Sequence, residues 1–363
     1  MRLTLLLLLL TAPVAAAPAV VSVENCGLLF TDNRAGVTGT DAGYSIPLRE
    51  KSLWLFGDVF LRDPASPEQG SRGFVSNCGL LVKAGQGSVP LRDYQFFTDA
   101  KSGLARPLLL PVDDEMGDDK LRFWPMGGWF DAVSQRVYLY YARVRVTGGG
   151  IFGFKLEGYG LAVADASVPE KIAFTRLKSA EKLLWWPDTA GASVFGAAVV
   201  DGRDGFLYVT GVQERDKRKF GKMARVAKEK IADLAAYEYF AGGELPRWSK
   251  NLADAADVAG LTDFPSELSV SYNRFLGGYL AVHSIGVFEK ARLSLAEKPW
   301  GPYRAIGEIG TPHRAFAKSV CYAGKEHPEL AESCGRVVYV TYVDSDRYWL
   351  QLLKVTLGKD GVK

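Results

Sequence analysis

Short apolar runs of about six residues alternate along the chain with turns rich in Gly, Asp, Asn and Pro. No long segment has the three-to-four-residue apolar spacing of an amphipathic helix, and the pattern predicts an all-β protein. One run recurs five times with an aromatic residue at its centre: 52–57 (SLWLFG), 136–141 (RVYLYY), 205–210 (GFLYVT), 277–282 (GGYLAV) and 336–341 (RVVYVT). The central aromatics are Trp54, Tyr138, Tyr208, Tyr279 and Tyr339, spaced by 84, 70, 71 and 60 residues. Each run follows a turn and an earlier strand, and several lead into a third strand, such as 159–164 (YGLAVA) or 350–356 (LQLLKVT). Repeats of this length point to a five-bladed β-propeller with four-stranded antiparallel blades around a central channel. Residues 20–363 are expected to form this one domain. The segment from Lys217 to Ala241 reads as partly helical.

The organising stretch is 38–48 (TGTDAGYSIPL) followed by 52–60 (SLWLFGDVF), two strands joined by the polar turn Arg49, Glu50 and Lys51. Asp41 opens the first strand and Asp58 closes the second. Adjacent strands lie about 4.8 Å apart, so an antiparallel pair brings the two carboxylates to one end of the sheet. Counting back from each central aromatic locates the start of the channel strand in the other blades. Asp41 precedes Trp54 by 13 residues (54 − 41), Pro125 precedes Tyr138 by 13 with Trp124 beside it, and Glu267 and His327 precede Tyr279 and Tyr339 by 12 each. Blade three presents Ser193 and Phe195 in the same region, and His283 lies four residues after Tyr279.

Two carboxyls at a channel mouth suit hydrolysis of a glycosidic bond, one protonating the leaving oxygen while the other activates water or attacks the sugar. The apolar neighbours of Asp58 favour its protonated form and make it the expected acid, with Asp41 as the ionised base; Glu267, the third catalytic candidate, is expected to orient substrate or tune a neighbour's pKa and is the reserve choice for the acid. Trp124, His327, His283 and Trp186 are the candidate substrate-binding residues, with Trp185 beside Trp186; core packing is the competing reading for any single tryptophan. The chemistry requires no cofactor and no catalytic metal, and a cation in the channel would be structural. The competing function is a non-catalytic glycan-binding or surface-interaction propeller, since fold does not fix function.

Composition narrows the partners. Of 363 residues, 48% are hydrophobic and 12% aromatic, ample for a large core. The formal net charge of +3 is small for this length and gives no nucleic-acid surface. Arg2, the apolar run from Leu3 to Leu10 and the small residues up to Ala19 form a secretory leader, with cleavage expected after Ala19. The run is too short to span a bilayer, and the mature protein is expected to be a soluble, exported monomer acting on a polysaccharide. Export makes the four cysteines a disulfide set with three pairings open, of which Cys321–Cys334 and Cys26–Cys78 are favoured.

The segments 39–45 (GTDAGYS) and 53–60 (LWLFGDVF) resemble the opening of the secreted propellers known as domain of unknown function 4185. Further agreement comes from 123–125 (FWP), 265–270 (PSELSV), 299–303 (PWGPY) and 327–330 (HPEL). That group includes bacterial endo-D-arabinanases, glycoside hydrolases that cut mycobacterial-type D-arabinan. The resemblance implies a five-bladed propeller, an endo-acting glycoside hydrolase for furanose-containing polysaccharide, and Asp41 and Asp58 at the positions of the family's essential acids.

Overall fold

The computed structural model describes residues 18–62, 71–83, 91–148, 153–189, 191–243, 245–264, 266–285, 290–310 and 319–359. The leader lies outside these residues up to position 17. The first strand, β1 (Pro18–Leu28), leaves its own neighbourhood and joins the last sheet. Blade one follows as β2 (Val37–Pro47), β3 (Lys51–Arg62), β4 (Ser71–Lys83) and β5 (Tyr94–Phe96). Blade two is β6 (Leu121–Asp131), β7 (Arg136–Val146) and β8 (Phe154–Asp165), with β9 (Thr175–Leu177) and β10 (Trp186–Pro187) both along β8. Blade three runs β11 (Val194–Asp201), β12 (Phe206–Arg215), β13 (Arg218–Ala227), β14 (Glu238–Phe240) and β15 (Trp248–Ser249). Blade four is β16 (Ser269–Asn273), β17 (Gly278–Ile285), β18 (Lys290–Ala296) and β19 (Arg304–Ile309). Blade five is β20 (Cys321–Glu326), β21 (Val337–Asp344) and β22 (Trp349–Lys359), and β1 pairs antiparallel with β22 as its fourth strand.

This is the predicted five-bladed propeller, and the pairing of β1 with β22 closes the ring with both ends of the described chain. The central aromatics Trp54, Tyr138, Tyr208, Tyr279 and Tyr339 are all buried, each on the second strand of its blade. Packed layers between successive blades make up the core: Leu53 and Leu55 of blade one meet Leu139 and Tyr141 of blade two, and Leu280 and Val282 of blade four meet Val338 and Val340 of blade five.

The first strands of the blades, β2, β6, β11, β16 and β20, touch in succession around the centre. Four of them carry a register shift against their partner, at Asp41/Tyr44, Pro125/Gly128, Phe195/Ala198 and Tyr322/Lys325. Such bulges bend a strand and re-aim its side chains. The crowding at the axis shows at Gly127, where a Cβ would come within 2.8 Å of the Ala198 backbone.

Two expectations are corrected. Lys217 to Ala241 is not partly α-helical: it contains β13, two single-turn 3-10 segments at Lys228–Lys230 and Leu234–Ala236, and β14. Neither disulfide is made. Cys321 pairs across the hairpin with Asp344, at the end of β21, whereas Cys334 lies in the connection that precedes β21. The two thiols therefore sit at opposite ends of a hairpin, a strand length apart, while a disulfide needs Cα atoms within about 7 Å. Cys26 is on the outermost strand of blade five and Cys78 on the third strand of blade one.

Candidate active site

The pairing of β2 with β3 creates the centre of the site. Asp41 is opposite Gly57, and the next pair is Thr40 with Val59, which leaves Asp58 as an extra residue on β3. The side-chain parity confirms the bulge: Trp54 and Phe56 before it, and Val59 and Leu61 after it, all enter the same buried cluster. Strict alternation would place 56 and 59 on opposite faces. The bulge thus frees Asp58 from the apolar layer and turns it toward blade two. Both strands continue past the carboxylates, β2 starting at Val37 and β3 ending at Arg62, so the pair lies within the sheet and not at its end.

Asp58 receives a hydrogen bond from Trp124 Nε1 at 2.9 Å, and Arg122 Nε lies 4.0 Å from the same carboxyl oxygen. Trp124 reaches it by lying over Gly57, where a Cβ would stand 3.3 Å from the ring. Burial pushes the Asp58 carboxyl up to about 6, with Trp124 and Arg122 pulling against that rise. Burial pushes Asp41 further, to about 7, helped by the negative charges of Asp58 and Glu267 and opposed by a hydrogen bond from Tyr322 and by Lys325. Tyr348 also hydrogen-bonds Asp41, while Asp41 Oδ1 has no partner among the described residues. Both carboxyls are therefore held above the usual carboxylate range by burial. The apolar neighbours of Asp58 in sequence point into the blade, whereas its carboxyl meets two donors.

Glu267 lies in the turn before β16 and completes the mouth from blade four. A small pocket, open in part to solvent, is lined by Asp41, Tyr44, Gly57, Trp124, Pro125 and Glu267. The structure thus brings together Asp41, Asp58, Trp124 and Glu267, contributed by three blades.

It also adds Lys325, which the residue count overlooked. Its side chain is buried with the ammonium 4.3 Å above the Tyr44 ring, donating to the Ala323 carbonyl at 3.0 Å. Burial pulls the amine down to about 8, against the stabilising charges of Glu267 and Asp41. A signal for it exists in the sequence. The bulge of blade one is Asp41-Ala-Gly-Tyr44 and that of blade five is Tyr322-Ala-Gly-Lys325, with Ala42 and Ala323 both at positive φ (51° and 56°). Counting fails here because the β20–β21 connection is longer: Gly43 precedes Trp54 by 11 (54 − 43), whereas Gly324 precedes Tyr339 by 15 (339 − 324). The 3-10 turns Pro328–Leu330 and Ser333–Gly335 occupy the difference.

The remaining candidates are placed in the interior. His327 is stacked on Trp54 at 4.1 Å, with Nδ1 at 2.7 Å from Ser45 Oγ and Nε2 at 2.7 Å from Thr341 Oγ1. Burial holds it well below the usual imidazole range, so it is neutral. His283 is buried against Phe264, with Nδ1 at 2.8 Å from the Ser284 carbonyl. Trp186 is buried and donates to Tyr239 at 3.0 Å, and Trp185 donates to the Leu177 carbonyl at 2.9 Å. None of these four lines the pocket that Asp41 and Glu267 share.

Among the described residues, no cluster of three or more His, Cys, Asp or Glu side chains could hold a metal ion, and no helix is long and apolar enough to cross a membrane. The arrangement offers two carboxyls that titrate near neutrality, an indole donor fixing one of them and a buried cation beside the other.

Solved structures with a similar chain path include an α-L-arabinofuranosidase from Podospora anserina in complex with cellotriose, at 12% identity and TM-score 0.46 over 95% of this chain and 98% of that one. Another is the catalytic domain of a Coprinopsis cinerea GH62 α-L-arabinofuranosidase, at 10% identity and TM-score 0.49, covering 94% and 97%. A third is an N-acetylgalactosamine deacetylase from F. plautii in complex with blood group B trisaccharide, at 10% identity and TM-score 0.48, covering 95% of each chain. No curated protein matches the chain. The opening motifs had pointed to domain of unknown function 4185, but the family model that matches is a different one. It spans residues 27–350, and the chain belongs to the family described as Domain of unknown function (DUF5005).

Proposed function

We propose that this protein is a glycoside hydrolase that cuts a furanose-containing polysaccharide, acting within D-arabinan chains. The observation that supports it best is the carboxyl pair itself: Asp41 and Asp58 lie on paired strands at a bulge, Asp41 lining a partly open pocket, and the different partners around the two carboxyls would separate their proton affinities. Such a separation is what assigns acid and base roles in two-carboxylate chemistry. Asp41, which keeps its proton to higher pH, is the donor to the leaving oxygen. Asp58, held by Trp124 and faced by Arg122, is the ionised partner that activates water or attacks the anomeric carbon. Glu267 supplies negative charge that keeps Asp41 protonated, and Lys325 limits that effect so that Asp41 still titrates near neutrality. On this reading the chain works outside the cytoplasm as a monomer, consistent with the leader pattern at its start.

The test is product analysis after incubating purified protein with arabinogalactan rich in D-arabinan, linear L-arabinan and arabinoxylan. A ladder of oligosaccharides from the first substrate alone is expected. Release from L-arabinan or arabinoxylan alone would move the substrate and keep the chemistry. Retention of glycan with no bond cleaved in any of the three would favour the binding-module reading.

A further inference from the structure

The hairpin of β3 and β4 extends beyond the carboxylates, and its two faces differ. Val59 and Leu61 are buried in the core, whereas Phe60 and Phe74, paired directly across the two strands, are 40% and 39% exposed. Their rings meet edge to face at 5.9 Å. Phe60 is also 5.0 Å from the Tyr348 ring, and Tyr348 hydrogen-bonds Asp41. On the other side, the Arg122 guanidinium lies 4.6 Å over Phe74 while its Nε is 4.0 Å from Asp58. The contacts therefore run from Asp41 through Tyr348, Phe60, Phe74 and Arg122 to Asp58.

We infer that Phe60 and Phe74, backed by Tyr348, form a platform on which a sugar ring of the bound polysaccharide stacks beside the carboxyl pair. The inference rests on the glycan-hydrolase reading of the site and adds a binding subsite to it. A cross-strand aromatic pair stabilises a hairpin whether or not it is exposed, so pairing alone does not explain why two phenylalanines stand in water. Their continuity with the carboxylates does, because a ring held on this face is delivered to the acid. Sugar rings offer an apolar face of C–H groups for the aromatic surface and hydroxyls at the rim. Arg122, its guanidinium over Phe74, lies at one end of the platform to meet those hydroxyls. The occupant is thus a neutral saccharide and not a protein segment, whose docking would call for a larger continuous apolar patch.

The experiment is affinity electrophoresis through gels containing arabinogalactan, linear arabinan or arabinoxylan. It uses the full chain with Asp58→Asn to keep the glycan intact, alone and combined with Phe60→Ala/Phe74→Ala or with Phe60→Trp. Hydrolysis by the wild-type protein is measured on the same glycans. The exposed positions let the variants fold, which an unchanged melting temperature checks. Loss of one buried ring face weakens retention about tenfold, so the double alanine variant should migrate freely while Phe60→Trp stays retarded. Equal retardation of the parent and the double alanine variant would overturn the platform and leave the hydrolase reading intact. Retardation of no variant in any glycan would also overturn it, and wild-type product release would then show whether the hydrolase reading survives.

Discussion

Replacing Lys325 with Met removes a positive charge while nearly preserving side-chain volume. Lys325 is buried in a setting where its attraction to Asp41 and Glu267 acts through protein rather than bulk water. At an effective dielectric of about 20, unit charges about 5–10 Å apart interact by ~1.7–3.3 kcal/mol, which corresponds to about one to two pH units in the titration of the partner. Lys325 opposes the rise of Asp41 and is not among the groups acting on Asp58. The acidic limb of kcat/KM, near pH 6, should therefore stay in place. The alkaline limb, near pH 7, should move up by about one to two units. Both limbs describe the coupled pair and not isolated residues. The assay is the pH profile of kcat/KM for glycan hydrolysis by wild type, Lys325→Met and Lys325→Arg, with circular dichroism to verify the fold. Removing one partner of a buried ion pair leaves the other charge uncompensated and destabilises, but Asp41 can take up a proton instead, so Lys325→Met should fold with a lowered melting temperature, and Lys325→Arg should keep the wild-type limb. An unmoved alkaline limb in a folded Lys325→Met protein would refute the coupling.

Trp124→Phe removes the donor to Asp58 and so raises its proton affinity; the acidic limb should move up by about one pH unit, with the alkaline limb unchanged, as read from the same profiles. Asp41 titrates above its unfolded value, so its contribution favours folding at low pH and is lost as the pH rises from about 4 through about 7. Asp41→Asn should accordingly be more stable to urea than wild type at pH 8, by up to ~4 kcal/mol for about three pH units, and show no such gain at pH 4; equal midpoints at pH 8 would contradict the burial of this charge. Gly127→Ala forces a methyl group against the Ala198 backbone and should cost about 1–3 kcal/mol, seen as a lower melting temperature. Reductant should leave the melting temperature unchanged, because no pair of cysteines is joined.

The propeller was legible because its blades repeat a buried aromatic on the second strand, and burial of that residue is a property each blade needs for itself. The Asp41–Asp58 pairing was legible for a similar reason, since a hairpin is a local structure whose register follows from its turn. Trp124 and Glu267 also emerged from the repeat, because the connections between their strands are short. His327 was misplaced where two 3-10 turns lengthen the connection, and the channel position passes instead to the Tyr322–Lys325 bulge. The polar surroundings of the Asp58 carboxyl were not legible from its neighbours in sequence. The extra residue in β3 turns Asp58 away from those neighbours, and its partners come from blade two. Tyr348 and Phe74 join the site through the β21–β22 turn and the far side of a hairpin, contacts that no local pattern encodes. The disulfides failed on distance, which an even cysteine count says nothing about.

The central claim is that Asp41 and Asp58 together break a glycosidic bond. Its most direct test is the initial rate of oligosaccharide release from D-arabinan-containing arabinogalactan by wild type, Asp41→Asn and Asp58→Asn, each shown to be folded. The account predicts release by wild type and a loss of at least about a hundredfold in either variant. Release at the wild-type rate by both folded variants would contradict it.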